Sequence, residues 1–365
     1  MKVKIFLALF LIVPVIVSAQ NINPKNVTNL KAEIIQSGSI NGNDVKEVHL
    51  FMHIPQKYKS IEVNTENWNI STDEYGNKLV NLYWKKVNGK IDYQIKTIVN
   101  QSSRFFNKTK LQDNEQWTIE AGGIGFNDWI LENAPYYESD MEGISDMVKF
   151  VHNFIDYDYS VTGKRYDVST IIEKKKGVCV EYSTLLLSLL RAKRIPARYV
   201  GGYSYSSKTD EFIGHAWVEV YTKDGWYPLD PTWLEMGFID ATHIRTGSFL
   251  ENEQLGHIQY KGNNLEWNRN KVKVNVLDIK TKNINNIELE VNKSKESEYG
   301  FVKSTVESKC NFVDISINSC VNARGENLLE FYNKNEDFFN CGKKDVYFFF
   351  KANDKNYMCP ISVYD

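Results

Sequence analysis

The chain is 365 residues long, with 42% hydrophobic residues, 25% charged residues and a formal net charge of -2. That length is too great for one ordinary domain of roughly 100 to 200 residues, and the near-neutral charge gives no long-range attraction for nucleic acid or an anionic membrane. Partners therefore have to be argued from particular sites.

Taken in chain order, Lys2 and Lys4 precede an apolar run from Ile5 to Val17, and Val17-Ser18-Ala19 supplies small residues before Gln20. This is the order of a cleavable secretory signal over residues 1–19. The run is shorter than the ~20 residues that span a bilayer, and Pro14 interrupts it. A secreted or extracytoplasmic protein is expected, with no integral membrane domain after signal removal and with the cell surface or wall as a place of association.

Residues 20–136 alternate polar and apolar positions in Lys46 to Ile54, Lys78 to Trp84 and Ile91 to Val99. Asn41-Gly42, Tyr75-Gly76-Asn77 and Asn88-Gly89 punctuate these runs, a pattern of hairpins that predicts an N-terminal β-sandwich. The glycines from Gly122 to Gly125 mark a crossing into the next unit, residues 137–260. There Ile144, Met147, Val148 and Val151 adopt helical spacing, a short helix is expected after Ser169, and a leucine-rich helix is expected from Cys179 through Arg191. Strands follow over Ala197 to Tyr203, His215 to Tyr221 and Gly225 to Leu229, the last two joined by a tight turn at Lys223-Asp224-Gly225. Residues 265–365 return to alternating strands, including Lys271 to Val276 and Val346 to Lys351, and read as a C-terminal β domain.

Four of the five cysteines, Cys310, Cys320, Cys341 and Cys359, fall in that last region. In an exported chain they read as disulfides whose pairing stays open, and Cys179 is left over as a candidate reactive thiol. The four contain no Cys-x-x-Cys pair and no intervening His, which argues against zinc.

Cys179 falls in the first turn of the leucine-rich helix. Unpaired N–H groups and the positive end of the helix dipole favour an anion at such a position, here a thiolate, and the Cys179 N–H is placed to face a developing oxyanion. His215 opens one strand and Asp230 ends its neighbour, so an imidazole–carboxylate bond across adjacent strands is feasible. Singly, a buried thiol, a strand His and a turn Asp are all commonplace. Together they form a nucleophile, a base and an orienting acid.

The stretches Gly177-Val178-Cys179 with Glu181-Tyr182-Ser183, Arg194 to Tyr203, His215-Ala216-Trp217-Val218-Glu219-Val220 and Trp226-Tyr227-Pro228-Leu229-Asp230-Pro231-Thr232 closely resemble the successive motifs of the transglutaminase-like superfamily. The resemblance covers about Met141 to Arg245. It implies a papain-like core of helix packed on antiparallel sheet, and with the β-sandwich-like domains that alternation alone predicts on either side, the fold expected is α+β. It also implies Cys179 as nucleophile, His215 as general acid/base and Asp230 as orienting acid.

Tyr157 and Tyr159 precede the nucleophile, and Tyr159 is the candidate second oxyanion donor. Arg198 is expected to pair with a nearby acid, while Lys174-Lys175-Lys176 reads as a solvated loop. His49, His53, His152, His243 and His257 lack metal-ligand spacing and read as structural, although Asp240 and His243 lie in a segment also typical of the superfamily. No calcium-loop pattern occurs, and no metal or cofactor is expected.

The expected substrate is a peptide or protein amide, with no nucleic-acid partner. Hydrolysis by a peptidase or amidase is favoured over amine cross-linking. The alternative is a silent core acting as the scaffold of a secreted or surface binding protein.

Overall fold

The computed structural model describes residues 24, 27–102, 115–134, 141–222, 225–236, 239–253 and 255–281, and beyond them the backbone of strands between 285 and 364. The expected signal segment, Cys310, Cys320, Cys341, the Cys359 side chain and thus the expected disulfides lie outside what is described.

Two long strands organise the N-terminal unit, β1 (Val27–His53) and β4 (Lys78–Ser102), which pair antiparallel along nearly their whole length. Short strands β2 (Ser60–Val63) and β3 (Trp68–Thr72) pair along the far edge of β4. Two of the three expected turns are absent. Gly42 lies directly opposite Gly89, and the register then advances to Val45 opposite Val87, so β1 carries one extra residue at this point. The Asn-Gly pairs therefore form a bulge within a continuous ladder. Left-handed φ angles at Asp44, Lys86 and Gly89 absorb the irregularity, and the Asp44 N–H donates to Asn88 Oδ1 at 2.8 Å. Tyr75-Gly76-Asn77 does turn, with Gly76 at φ 77°.

Four helices and two two-residue strands follow: α1 (Asp128–Asn133), α2 (Met141–Phe154), β5 (Asp156–Tyr157), α3 (Val168–Lys174), β6 (Lys176–Gly177) and α4 (Cys179–Ala192). The helix expected from Cys179 is α4, and its Leu185, Leu186, Leu187, Leu189 and Leu190 are fully buried. At about 1.5–3 kcal/mol for each fully buried leucine, this helix is the apolar axis of the central unit.

It packs against a five-stranded antiparallel sheet in the order β10 (Glu235–Met236), β9 (Gly225–Asp230), β8 (Glu211–Thr222), β7 (Ala197–Ser206) and β11 (Ile244–Phe249). Thr222 pairs with Gly225, which fixes the register of β8 against β9, while residues 223 and 224 of the expected turn lie outside the described residues. The cross-strand pair Arg198 and Glu219 makes the acid contact anticipated for Arg198, at 2.7 Å from Nε to Oε2.

The chain then returns to the N-terminal sheet. Strands β12 (Gly256–Gly262), β13 (Leu265–Arg269) and β14 (Lys273–Thr281) pair in succession along β1, completing one seven-stranded antiparallel sheet. A single sheet thus stands where an N-terminal sandwich was expected, and the run from Lys271 to Val276 belongs to it. The reason is non-local, since β1 offers a full second edge that only these later strands fill.

Strands β15 (Asn285–Glu290), β16 (Tyr299–Ser308), β17 (Asp314–Ile317), β18 (Glu330–Asn333), β19 (Gly342–Lys351) and β20 (Asn356–Tyr364) form two three-stranded antiparallel sheets, β15-β20-β17 and β16-β19-β18. No helix among the described residues is long and apolar enough to cross a membrane.

The N-terminal sheet also grips the central unit. Val27, Leu30, Ala32, Ile34 and Val99 share a buried cluster with Tyr203, Ala241 and Ile244. Gln101 Nε2 donates to the carbonyls of Ala241 at 2.6 Å and His243 at 3.0 Å, and Asn77 exchanges two hydrogen bonds with the Ser248 backbone.

Two substitutions test this architecture. Buried Arg191 donates to the carbonyls of Ala197, Ile119 and Leu250, and burial lowers its pKa to about 10. Arg191→Ala strands those acceptors and should cost on the order of 3 kcal/mol by urea unfolding. Gly202 faces β11 so closely that a Cβ would lie 2.1 Å from the Ile244 carbonyl oxygen. Gly202→Val should therefore push β11 outward and lower the melting temperature by several degrees, read by near-ultraviolet circular dichroism.

Candidate active site

Cys179 is the first residue of α4, where its N–H has no acceptor one turn back. The entry to the helix is shaped by Glu181, which folds back so that its Oε2 accepts from the Val178 N–H at 2.9 Å. Gly177 makes room for this, because a Cβ there would stand 2.3 Å from Glu181 Cβ. Burial pushes the Glu181 carboxyl up, and backbone donors at Val178, Glu181 and Tyr166 pull in the other direction.

The thiol is buried at 8% exposure, free of any disulfide, and near enough to the His215 ring to help raise its pKa. His215 Nε2 lies 2.7 Å from Asp230 Oδ2. With Nε2 so engaged, Nδ1 is the ring nitrogen left for the sulfur. Strand register produces this contact: Val218 pairs with Leu229, so Asp230 falls one step further along, opposite Trp217 and diagonal to His215 on the same face.

Asp230 is completely buried and compensated on all sides. Its Oδ1 accepts from the N–H groups of Thr232 at 2.8 Å and Trp233 at 3.2 Å, and its Oδ2 accepts from His215 and, at 3.2 Å, from His243 Nε2. Burial alone would raise its pKa, but the charge of His215 and the imidazole donors outweigh it and hold the carboxyl far below the usual range. His215 shows the converse balance. Burial pushes its pKa down, while the Asp230 charge and hydrogen bond, with a contribution from Cys179, carry it up to about 9. Trp233 stacks on the imidazole with ring centroids 4.0 Å apart and planes within 7°, a contact that favours the cationic ring.

The expected tyrosines are close by, with a change of order. The parallel pairing of β5 with β6 sets Tyr157 opposite Gly177, two residues before the thiol. The Tyr157 hydroxyl pKa is pushed up by burial, with contributions from Cys179 and Tyr159. Tyr157 is therefore the phenol next to the sulfur, and Tyr159 stands behind it with ring centroids 5.1 Å apart. Lys174, Lys175 and Lys176 are exposed as expected but form no loop, since Lys174 ends α3, Lys175 caps it and Lys176 opens β6, where it pairs with Asp158 at 3.4 Å.

Among the other histidines, His53 pairs with Asp73, His49 and His257 lie against Phe51, and His152 Nδ1 contacts the Pro231 carbonyl at 2.9 Å, steadying the turn after Asp230. His243 differs from all of them. It is fully buried, it contacts Asp230, and its Nδ1 lies 3.4 Å from Asp240 Oδ2 and 4.0 Å from Glu235 Oε2. Sequence reading left it structural and left Glu235 unmentioned. The only available signal was the Asp240-Ala241-Thr242-His243 segment, and nothing local to it tells that β11 delivers it to Asp230.

Two trios of donor atoms among the described residues lie within 4.8 Å of one another, His215-Asp230-His243 and Glu235-Asp240-His243. In the first, both imidazoles are already bonded to one carboxylate oxygen. In the second, Glu235 Oε2 and Asp240 Oδ1 accept from backbone N–H groups of Asp240 and Thr242. Both trios are thus read as hydrogen-bonded and ion-paired groups.

Comparison with known proteins bears on the stretch that holds these residues. Residues 132–231 match the family model described as the transglutaminase-like superfamily. A protein-glutamine gamma-glutamyltransferase of Pseudomonas aeruginosa is 30% identical over 112 residues, which cover 27% of this chain and 16% of that protein. An uncharacterized protein of Mycobacterium leprae is 33% identical over 90 residues, covering 23% of this chain and 32% of its own length. The match thus spans a third or less of either relative. A crystallised protein of Cytophaga hutchinsonii, to which a cysteine protease activity has been ascribed, superposes with a TM-score of 0.54 at 16% identity over 70% of this chain and 93% of that one. That likeness is one of fold. The chain carries at residues 132–231 a core of the transglutaminase-like superfamily, and Cys179, His215 and Asp230 all lie inside it.

Proposed function

We propose that this protein is an extracytoplasmic thiol enzyme acting on peptide or protein amides, with Cys179 as nucleophile, His215 as general acid/base and Asp230 as the acid that orients it. The observation that carries the reading is the buried His215–Asp230 pair at 2.7 Å with Cys179 against the same ring at a helix N-terminus.

In the ionised pair, His215 is an imidazolium and Cys179 a thiolate. The thiolate attacks the amide carbon, forming a C–S bond and an oxyanion held by the Cys179 N–H, with a Tyr157–Tyr159 hydroxyl as the second donor. His215 gives its proton to the nitrogen as the C–N bond breaks, leaving a thioester and a free amine. His215, now neutral, takes a proton from water, the hydroxide adds to the thioester, and the C–S bond breaks, releasing the carboxylic acid product and regenerating the Cys179 thiolate beside the His215 imidazolium. An amine entering in place of water yields a new amide by the same proton transfers. The triad chemistry is common to both outcomes, and hydrolysis is the favoured one here.

Supplying a glutamine-containing peptide together with a fluorescent primary amine separates these outcomes. The expected result is release of ammonia or cleaved peptide with little amine incorporated, and efficient labelling would reverse the preference. Cys179→Ala should abolish turnover, and Asp230→Asn should lower it by about a hundredfold or more, since the amide cannot orient the imidazolium as a carboxylate does. The pH profile follows from His215: its proton is retained at neutral pH and lost as pH rises through about 9, so activity should fall on that side.

A further inference from the structure

The His243 ring is one the triad does not need, yet it is buried beside the triad with charged groups at both nitrogens. Its Nε2 lies 3.2 Å from the Asp230 oxygen that also receives His215. Because Asp230 is ionised, it can only accept, so Nε2 carries a hydrogen. Its Nδ1 faces carboxylates alone, Asp240 Oδ2 at 3.4 Å and Glu235 Oε2 at 4.0 Å. A lone pair aimed at two carboxylates would be repelled, whereas an N–H is attracted. Neither Nδ1 nor Asp240 Oδ2 has a hydrogen-bond partner, so each is buried at a cost that the 3.4 Å ion pair between a protonated ring and the carboxylate offsets.

We propose that His243 is a positioning residue of this site, a cation held by Asp240 and Glu235 that donates from Nε2 to Asp230 and so fixes the carboxylate on which His215 depends. The proposal rests on the catalytic reading of Cys179 and His215, but it concerns a different group.

The surroundings fit this role. The charged and titratable groups facing His243 are Asp230 on β9, Glu235 on β10, Asp240 on the preceding turn and His215 on β8. The rings of Trp217 and Trp233 close the remaining sides edge-on. The backbone is held equally firmly. Thr242 N–H donates to Asp240 Oδ1 at 2.6 Å, and Gln101 of the N-terminal sheet donates to the His243 carbonyl at 3.0 Å. Burial opposes a charge on His243, and the Asp240 charge, the Asp230 hydrogen bond and Glu235 overcome it to push its pKa up.

Two consequences follow for His215. Two donors on Oδ2 and two on Oδ1 leave the Asp230 carboxylate no freedom to rotate. A cation with its ring centroid 5.4 Å from the His215 ring also opposes a second positive charge there, so it restrains the pKa of His215. Removing the charge while keeping the donor should therefore raise the pH at which His215 gives up its proton.

The test is a pH titration of the full-length protein labelled with 15N-histidine, comparing the wild type with His243→Gln and Asp240→Asn. Glutamine can keep a donor near the Nε2 position without the charge. In the wild type His243 should remain imidazolium well above the free value of ~6.5. Asp240→Asn should bring its titration down toward that value, and His243→Gln should move the His215 titration up by about one unit. A neutral His243 at pH 7, or an unchanged His215 titration in His243→Gln, overturns the proposal even if stability falls. A spectral change at His243 on treatment with a metal chelator would also overturn it, making the trio a metal site. None of these readouts requires turnover, so failure of the catalytic reading, seen as an inactive enzyme, is distinguished from failure of this one, seen as a neutral His243.

Discussion

A carboxylate with no exposure to solvent is costly to ionise unless every lone pair finds a donor. Asp230 meets that requirement with the Thr232 and Trp233 N–H groups on one oxygen and two imidazoles on the other. Much of the central unit serves to bring those donors together. The register of β8 against β9 sets His215 diagonal to Asp230, the Pro231 turn closes over Oδ1, and Gly202 lets β11 lie close enough to β7 for His243 to arrive from the other side. The N-terminal sheet contributes by holding the segment that carries His243, through Gln101 and the cluster around Ile244.

The same burial links architecture to chemistry. A histidine between an ionised aspartate and a thiol, with a tryptophan face against its ring, is held in its cationic form into mildly basic conditions. The helix that carries Cys179 is anchored by its leucines on the sheet and by Arg191 at its far end, so the sulfur and the imidazole are presented by rigid elements. Glu181 shapes the first turn and explains why residue 177 has no side chain.

The parts of the molecule legible in the sequence are those in which short-range pattern decides. The three expected helices of the central unit correspond to α2, α3 and α4, and strands β7 to β9 fall where alternation places them. Cys179, His215 and Asp230 sit in motifs local enough to read one by one. Non-local geometry accounts for what was missed. Asn41-Gly42 and Asn88-Gly89 each carry the composition of a turn, and only their facing one another across a shared ladder makes them a bulge. Strands β12 to β14 pair with β1 from more than 200 residues away, which alternation alone cannot reveal. His243 read as structural because its contacts depend on the register of β11, and that register depends on a glycine in another strand.

The most direct test of the central claim is the rate of Cys179 alkylation by iodoacetamide across a pH series, mapped by mass spectrometry with His215→Ala as the control. The account predicts that Cys179 reacts readily at mildly acidic and neutral pH, and that the His215 substitution abolishes this early reactivity. A Cys179 that reacts only as an ordinary free thiol does, at a rate indifferent to His215, would contradict it.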